Sequence, residues 1–125
     1  RAKVEAALKG VDLILFCVER DARFHEAVTH TGYFGVSVLA AHQRSVATWL
    51  ATPGRPLIGQ LDQIPHEYGP NGCALIGGAL AHFEAAITDV HPAGDHSIVV
   101  GVVTHLAMPD DPAPPLVYAR STYQT

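Results

Sequence analysis

The hydrophobic pattern of this chain is strand-like but seldom alternates. In AGDHSIVVGVVTHL, residues 93–106, the even positions hold His96, Ile98, Val100, Val102 and Thr104, and the odd ones Ser97, Val99, Gly101, Val103 and His105. A half-buried strand alternates apolar with polar side chains, so two apolar faces require cover on both sides. DLILFCV, residues 12–18, is a second continuous apolar run bounded by charge and reads the same way. YFGVSVLA, residues 33–40, is aromatic and β-branched and predicts a strand. From Cys73 onward, ALIGGALAHFEAAITDVH and DHSIVVGVVTHLAM predict two long strands joined as a hairpin through PAGD; DDPAPP interrupts, and LVYARSTY predicts a final strand.

Helical spacing is confined to the first half. AKVEAALK, residues 2–9, is rich in good helix formers and closes at Gly10. DARFHEAVTHTG places Phe24, Ala27 and Val28 at i, i+3, i+4 behind Asp21 as N-cap and ends at Gly32. AHQRSVATWLA sets Val46, Trp49 and Leu50 on one helical face before TPGRP breaks it. Pro53, Pro56, Pro65, Pro70 and the turn YGPNG predict loop over residues 53–72.

Several strands with two or three short helices inserted early predict a mostly β fold, a small closed barrel rather than a doubly wound sheet. If one face of the 97–105 strand fills the barrel, the other still needs cover, and the obvious cover in so small a domain is a second subunit. A homodimer is therefore expected.

At 125 residues the chain is expected to be one domain, 1–125, and its 48% hydrophobic and 16% charged residues describe a globular protein. The longest apolar runs, such as IVVGVV, fall far short of the roughly 20 residues of a membrane helix, so no membrane partner is expected. A net charge of -4, with eight scattered basic residues, argues against nucleic acid. Cys17 and Cys73 show no metal spacing; a single disulfide stays open, but buried reduced thiols of a cytoplasmic protein are the favoured reading.

Eight histidines raise a metal reading, yet the chain has no HxH, HxxxH or HExxH. His82 and His91, like His96 and His105, are nine residues apart, an odd spacing that sends the rings to opposite faces of a straight strand. No metal site is expected. GxSxG, GxGxxG and GK[ST] are absent as well, which removes the usual hydrolase, Rossmann and P-loop arrangements. Asp95-His96 at the hairpin exit has two readings. One is a turn aspartate beside a strand-start histidine, which spacing alone favours; the other is a catalytic pair in which the carboxylate orients an imidazole that titrates near neutrality.

AGDHSIVVGVV, followed by PPLVYARSTY and preceded by GYFGVSVLAAHQRSVATWLA, resembles the flavin reductase-like family of the FMN-binding split barrel over about residues 12–123. VERDARFHEAV sits where such proteins carry a strand-to-helix turn with a small residue and an arginine. The resemblance implies a homodimeric split β-barrel with short inserted helices that reduces FMN or FAD with NADH or NADPH. The flavin would be held non-covalently at the dimer interface, and the reduced flavin supplied to a partner monooxygenase. By the same likeness Ser37, Val38, Leu39, Gln43 and Arg44 would line the flavin site. His96, matching the histidine of the family's GDH motif and oriented by Asp95, would be the catalytic contact to the nicotinamide or the reacting ring edge. Tyr118, Arg120 and Tyr123 would complete the nicotinamide side. RAKVEAALKGV stands where the family carries a Ser/Thr-rich segment that hydrogen-bonds the flavin ring, so that usual N-terminal segment is expected to be missing. Ser37 replaces a frequent Asn, and Ala22 and Phe24 replace Ser and Thr around Arg23. Two alternatives compete: a flavin-binding or degenerate split-barrel module acting in dimerisation or partner binding without reductase activity, and a haem-associated oxidoreductase on the same barrel.

Overall fold

The computed structural model describes residues 12–56, 58–108 and 113–124, and the helix expected over residues 2–9 lies outside them. The elements are β1 (Leu13–Glu19), α1 (Arg23–Thr31), β2 (Tyr33–Val38), a 3-10 turn (Ala41–Gln43), α2 (Arg44–Leu50), β3 (His66–Tyr68), β4 (Ala74–Ile76), β5 (Ala81–Ala93), β6 (His96–Ala107), β7 (Val117–Ala119) and β8 (Thr122–Gln124). The four long strands form one antiparallel sheet in the order β1-β6-β5-β2, and β3-β4 and β7-β8 are two small hairpins.

The sheet is curled. β1 and β2 are its two edges, which a flat sheet would hold about 14 Å apart. Yet the rings of Phe16 on β1 and Phe34 on β2 meet edge to face with centroids 4.7 Å apart. The concave side holds the core: Val28 from α1, Phe34, Ala85 and Val99 are buried, and Ile14, Phe16, Val18, Val36 and Ile87 pack against them. Each such fully buried large apolar side chain contributes roughly 1.5–3 kcal/mol. Gly101 lies on this side because nothing larger fits: a Cβ there would stand 2.7 Å from the Phe34 ring and 3.0 Å from the Ala85 methyl. Buried Ser97 on the same side is satisfied by His25 of α1, with Nε2 to Oγ at 3.0 Å.

The convex side is divided. Around Gly35, Ser37 and Glu84 it is covered by the β3-β4 hairpin, with Cys73 and Leu75 packed over Gly35. Glu84 is fully buried there. Its Oε2 accepts the backbone N–H groups of Asn71 and Cys73, both at 3.1 Å, and Oε1 a longer 3.3 Å contact from Asn71. Beyond the hairpin the side is bare: Leu13 and Leu15 are 63% and 61% exposed, and their register partners Val102 and Val100 are only half-buried. The second apolar flank of the 97–105 strand therefore exists, and the described chain leaves it uncovered.

Two register shifts shape the β5-β6 ladder. Thr104 is the extra residue on β6 and Thr88 the extra residue on β5. Each hydroxyl bonds across the gap that its own bulge opens, Thr104 to the Glu84 carbonyl at 3.2 Å and Thr88 to the Val100 carbonyl at 3.3 Å. Bulges of this kind strengthen twist and bend a ribbon, in keeping with the curl.

Several expectations are corrected. The described residues form a curled sheet open between β1 and β2 rather than a closed barrel. ALIGGALAHFEAAITDVH is two strands, because the chain turns at Gly77-Gly78, with Gly78 at φ +80°. LVYARSTY is a hairpin rather than one strand, turning on Arg120 and Ser121 at φ 52° and 62°. Within the expected loop, His66–Tyr68 pairs with β4. α1 is capped by Ala22 without a side-chain hydrogen bond, not by Asp21. Both cysteines are free, but Cys17 is exposed, since it shares the bare face with Leu13 and Leu15.

Candidate functional site

The residues singled out from the sequence fall into three groups. Arg44 opens α2, and its guanidinium lies 5.7 Å above the Tyr123 ring, which in turn meets Tyr118 edge to face at 4.9 Å. These three side chains line a cleft of about 620 Å³ between α2 and the β7-β8 hairpin, with Thr48, Thr52 and Thr122 supplying hydroxyls. The hairpin is anchored to the end of β2, where Leu116 N–H donates to the Leu39 carbonyl at 3.0 Å. The cleft has the volume and aromatic walls of a small-molecule site. Arg120 sits in the hairpin turn and is exposed, but Ser121 rather than Arg120 lines the cleft.

Ser37 and Gln43 do not line that cleft, and both bond to backbone groups. The Ser37 hydroxyl accepts Ile76 N–H at 3.0 Å. Buried Gln43 accepts Ala40 N–H at 2.9 Å and donates to the Gly77 carbonyl at 2.8 Å. His82 Nε2 donates to the Ile76 carbonyl at 2.6 Å. Three side chains thus fix the turn after β4, and Ser37 and Gln43 are committed to backbone groups. Val38 offers its carbonyl to Leu80 N–H at 2.7 Å.

Asp95 and His96 form the third group, at the tip of the β5-β6 hairpin. His96 Nδ1–H donates to Asp95 Oδ1 at 2.8 Å, which holds the Asp95 carboxyl below its ordinary range through that bond first and the imidazole's charge second. No partner within the described residues occupies Nε2. Arg20, absent from the sequence assignment, clamps the tip: its N–H donates to the Asp95 carbonyl at 3.0 Å and its guanidinium to the Gly94 carbonyl. His96 pairs in register with Glu19 and Ala93, so it belongs to the convex face that carries the bare apolar strip. Val38 pairs with Ala81 at one end of β5 and His96 with Ala93 at the other. That contour is roughly 40 Å. One subunit does not bring His96 to the Arg44 cleft.

Among the described residues no group of His, Cys, Asp and Glu is arranged to hold a metal, and no helix is long and apolar enough to cross a membrane. Residues 8–125 match the flavin reductase like domain. The chain belongs to that family. Among curated family relatives, the NADH-dependent FAD reductase of Streptomyces globisporus is 41% identical over 93 residues, covering 73% of this chain and 51% of that protein. The reductase subunit HsaB of a flavin-dependent monooxygenase from Mycobacterium tuberculosis is 31% identical over 89% of this chain and 58% of its own. Of solved structures, BorF, the flavin reductase component of a bacterial two-component tryptophan halogenase, superposes with a TM-score of 0.82 at 42% identity, covering 90% of this chain and 71% of that one. Streptomyces globisporus SgcE6, in complex with NAD and FAD fragments, gives 0.83 at 32% identity, covering 90% and 67%. The chain spans about half the length of the curated relatives it matches.

Some of the family chain's site features had a readable signal. Arg44, Thr48 and Thr52 recur at i, i+4, i+8, the polar counterpart of the Val46, Trp49 and Leu50 face. Arg20 lies in the strand-to-helix turn already singled out. Glu84 had none, because a lone acid within HFEAA reads as a solvent-facing strand position.

Proposed function

We propose that this chain is the core of an NAD(P)H:flavin oxidoreductase that reduces FMN or FAD and works as a homodimer, supplying reduced flavin to a monooxygenase. One observation carries the reading beyond the family: the Asp95-His96 pair stands exposed at a clamped hairpin tip, on the face where Leu13, Leu15, Val100 and Val102 await cover. A second protomer on that strip would place the imidazole at the seam. The names of the relatives favour NADH as donor and FAD as acceptor.

When bound, the nicotinamide supplies a hydride and the flavin accepts it; the protein's part is to position the two and to meet the charge that develops. Asp95 fixes the His96 ring by binding Nδ1–H, which leaves Nε2 to hydrogen-bond a ligand at the seam. Arg44, braced on Tyr123, offers positive charge to an anionic group in the α2 cleft, while Tyr118 and Tyr123 offer ring faces and hydroxyls. The cleft's size and donor set fit a nucleotide moiety.

The test is flavin-dependent NADH oxidation by His96→Ala. Turnover should fall by about 10²-fold, the low end for a lost acid-base or ring-orienting group, with the oligomer mass unchanged. Unaltered turnover removes His96 from the mechanism. Flavin fluorescence quenching by the wild-type chain without nucleotide oxidation would leave a flavin-binding module in place of the enzyme.

A further inference from the structure

His96 stands on a ribbon with little support of its own. β2 pairs with β5 only as far as Ala86, and residues 88–93 are all exposed, so among the described residues the outer edge of the tip is bare. A two-stranded ribbon is marginally stable by itself. What steadies the tip comes from the other side, where Glu19 of β1 pairs with His96 and Val18 with Ser97. β1 ends there, and residues 20–25 take over. Arg20 N–H donates to the Asp95 carbonyl at 3.0 Å, one residue before His96. His25 holds Ser97, one residue after it, with Nε2 and Oγ 3.0 Å apart.

The second of these contacts is built into the packing of α1. Val28 is the buried residue of that helix, and His25 lies one turn before it on the same face, half-buried. Ser97 is 2% exposed, and the structure gives its hydroxyl no other partner among the described residues. Successive residues of a strand point to opposite faces, so fixing the Ser97 side chain on the concave side fixes where the His96 ring leaves the convex one. The two tethers divide the task. Asp95 sets the rotation of the imidazole through Nδ1–H, and His25 sets the backbone that carries it. His25 does not line the α2 cleft.

We propose that His25 is a positioning residue for the hydride transfer, acting through Ser97 on the placement of His96. The proposal rests on the role given to His96 above and adds to it a residue of α1 that touches neither nucleotide. A misplacement of about 1 Å in a reacting or orienting group can cost as much as about 100-fold in rate, so a loosened tip shows in turnover even where the fold survives.

The experiment is a double-mutant cycle on flavin-dependent NADH oxidation with His25→Ala, Ser97→Ala and the double variant, beside His25→Gln, whose amide has a similar reach to the Ser97 hydroxyl. Each alanine variant should lose about tenfold in kcat, with KM for NADH and for flavin within about twofold of wild type. The double variant should be no slower than either single one, because a shared bond is lost only once. His25→Gln should return kcat to within about twofold of wild type. A fall in Tm with kcat unchanged makes the bond structural only and overturns the proposal. So do losses that multiply in the double variant, or a loss confined to KM, which would make His25 a ligand contact. If His96→Ala leaves turnover unaltered, the reading of His96 fails, and NMR decides the placement by itself. The His96 ring signals, assigned by their disappearance in His96→Ala, should move in His25→Ala and return in His25→Gln; signals that stay in place in both variants remove the positioning role.

Discussion

Removing the Glu84 carboxylate should release the 69–73 turn from the sheet. Its two close bonds, from Asn71 and Cys73 N–H at 3.1 Å, are made by a side chain with no exposure. Hydrogen bonds to a charged acceptor are worth about 1.5–3 kcal/mol each, and an orphaned buried N–H costs about 1–3 kcal/mol. Against this stands the desolvation of an acid with no cationic partner, which its removal recovers. Glu84→Ala should therefore destabilise by about 3–5 kcal/mol. Glu84→Gln can place its one oxygen where Oε2 receives both N–H groups and should lose only about 1–2 kcal/mol. For a domain of this size that is a drop in Tm of roughly 10–20 °C against roughly 3–8 °C. Thermal and urea unfolding measure both. Hydrogen exchange adds a local signature, with the Asn71 and Cys73 amides losing protection before the β5-β6 ladder does. Equal losses for Ala and Gln, or an alanine variant within about 1 kcal/mol of wild type, would refute the account of this carboxylate as the anchor of the β3-β4 hairpin.

Leu15→Asp should leave the fold intact, since Leu15 is 61% exposed, yet weaken the proposed dimer by at least about 100-fold in dissociation constant by placing a charge in the apolar strip that the second protomer would cover. Sedimentation reads it, and a wild-type chain that already sediments as a monomer defeats the dimer proposal. Burial first, and Glu84 second, push the Cys73 thiol from 9.0 up to about 11. The folded state thus holds this proton more tightly than the unfolded one. The neutral thiol's contribution to stability is intact below the unfolded value and lost as pH climbs from 9.0 through about 11. At pH 8 iodoacetamide should label exposed Cys17 well before Cys73, by mass spectrometry, and comparable rates would contradict the burial argument.

The strands could be read because their apolar content and the PAGD turn are local signals, and the GDH tip fell where that turn required. What escaped the sequence depended on partners far along the chain. The Arg120-Ser121 turn has left-handed residues without the Gly or Asn that advertises them, so one continuous strand was the natural expectation. Gly77-Gly78 lies inside an apolar stretch, where glycine reads as close packing as easily as a turn. Arg44, Tyr118 and Tyr123, assigned by resemblance, do meet in one cleft. Ser37 and Gln43, assigned in the same way, bond to backbone groups 34 to 39 residues away, which no spacing rule reveals.

The paired threonine bulges let this hairpin change length without changing faces. His82 faces Ala107 and Ala93 faces His96, while between the bulges Ala85 faces Val103 and Ile87 faces Gly101, one position out of step. Thr104 takes the frame away and Thr88 gives it back. The neighbours of each threonine already lie on opposite faces, so deleting either one alone would close its gap, restore plain alternation and keep every partner, the tip imidazole included, on its present side. Single-residue length variation is therefore expected at each site independently among related chains, with the bend of the ribbon as the property that changes.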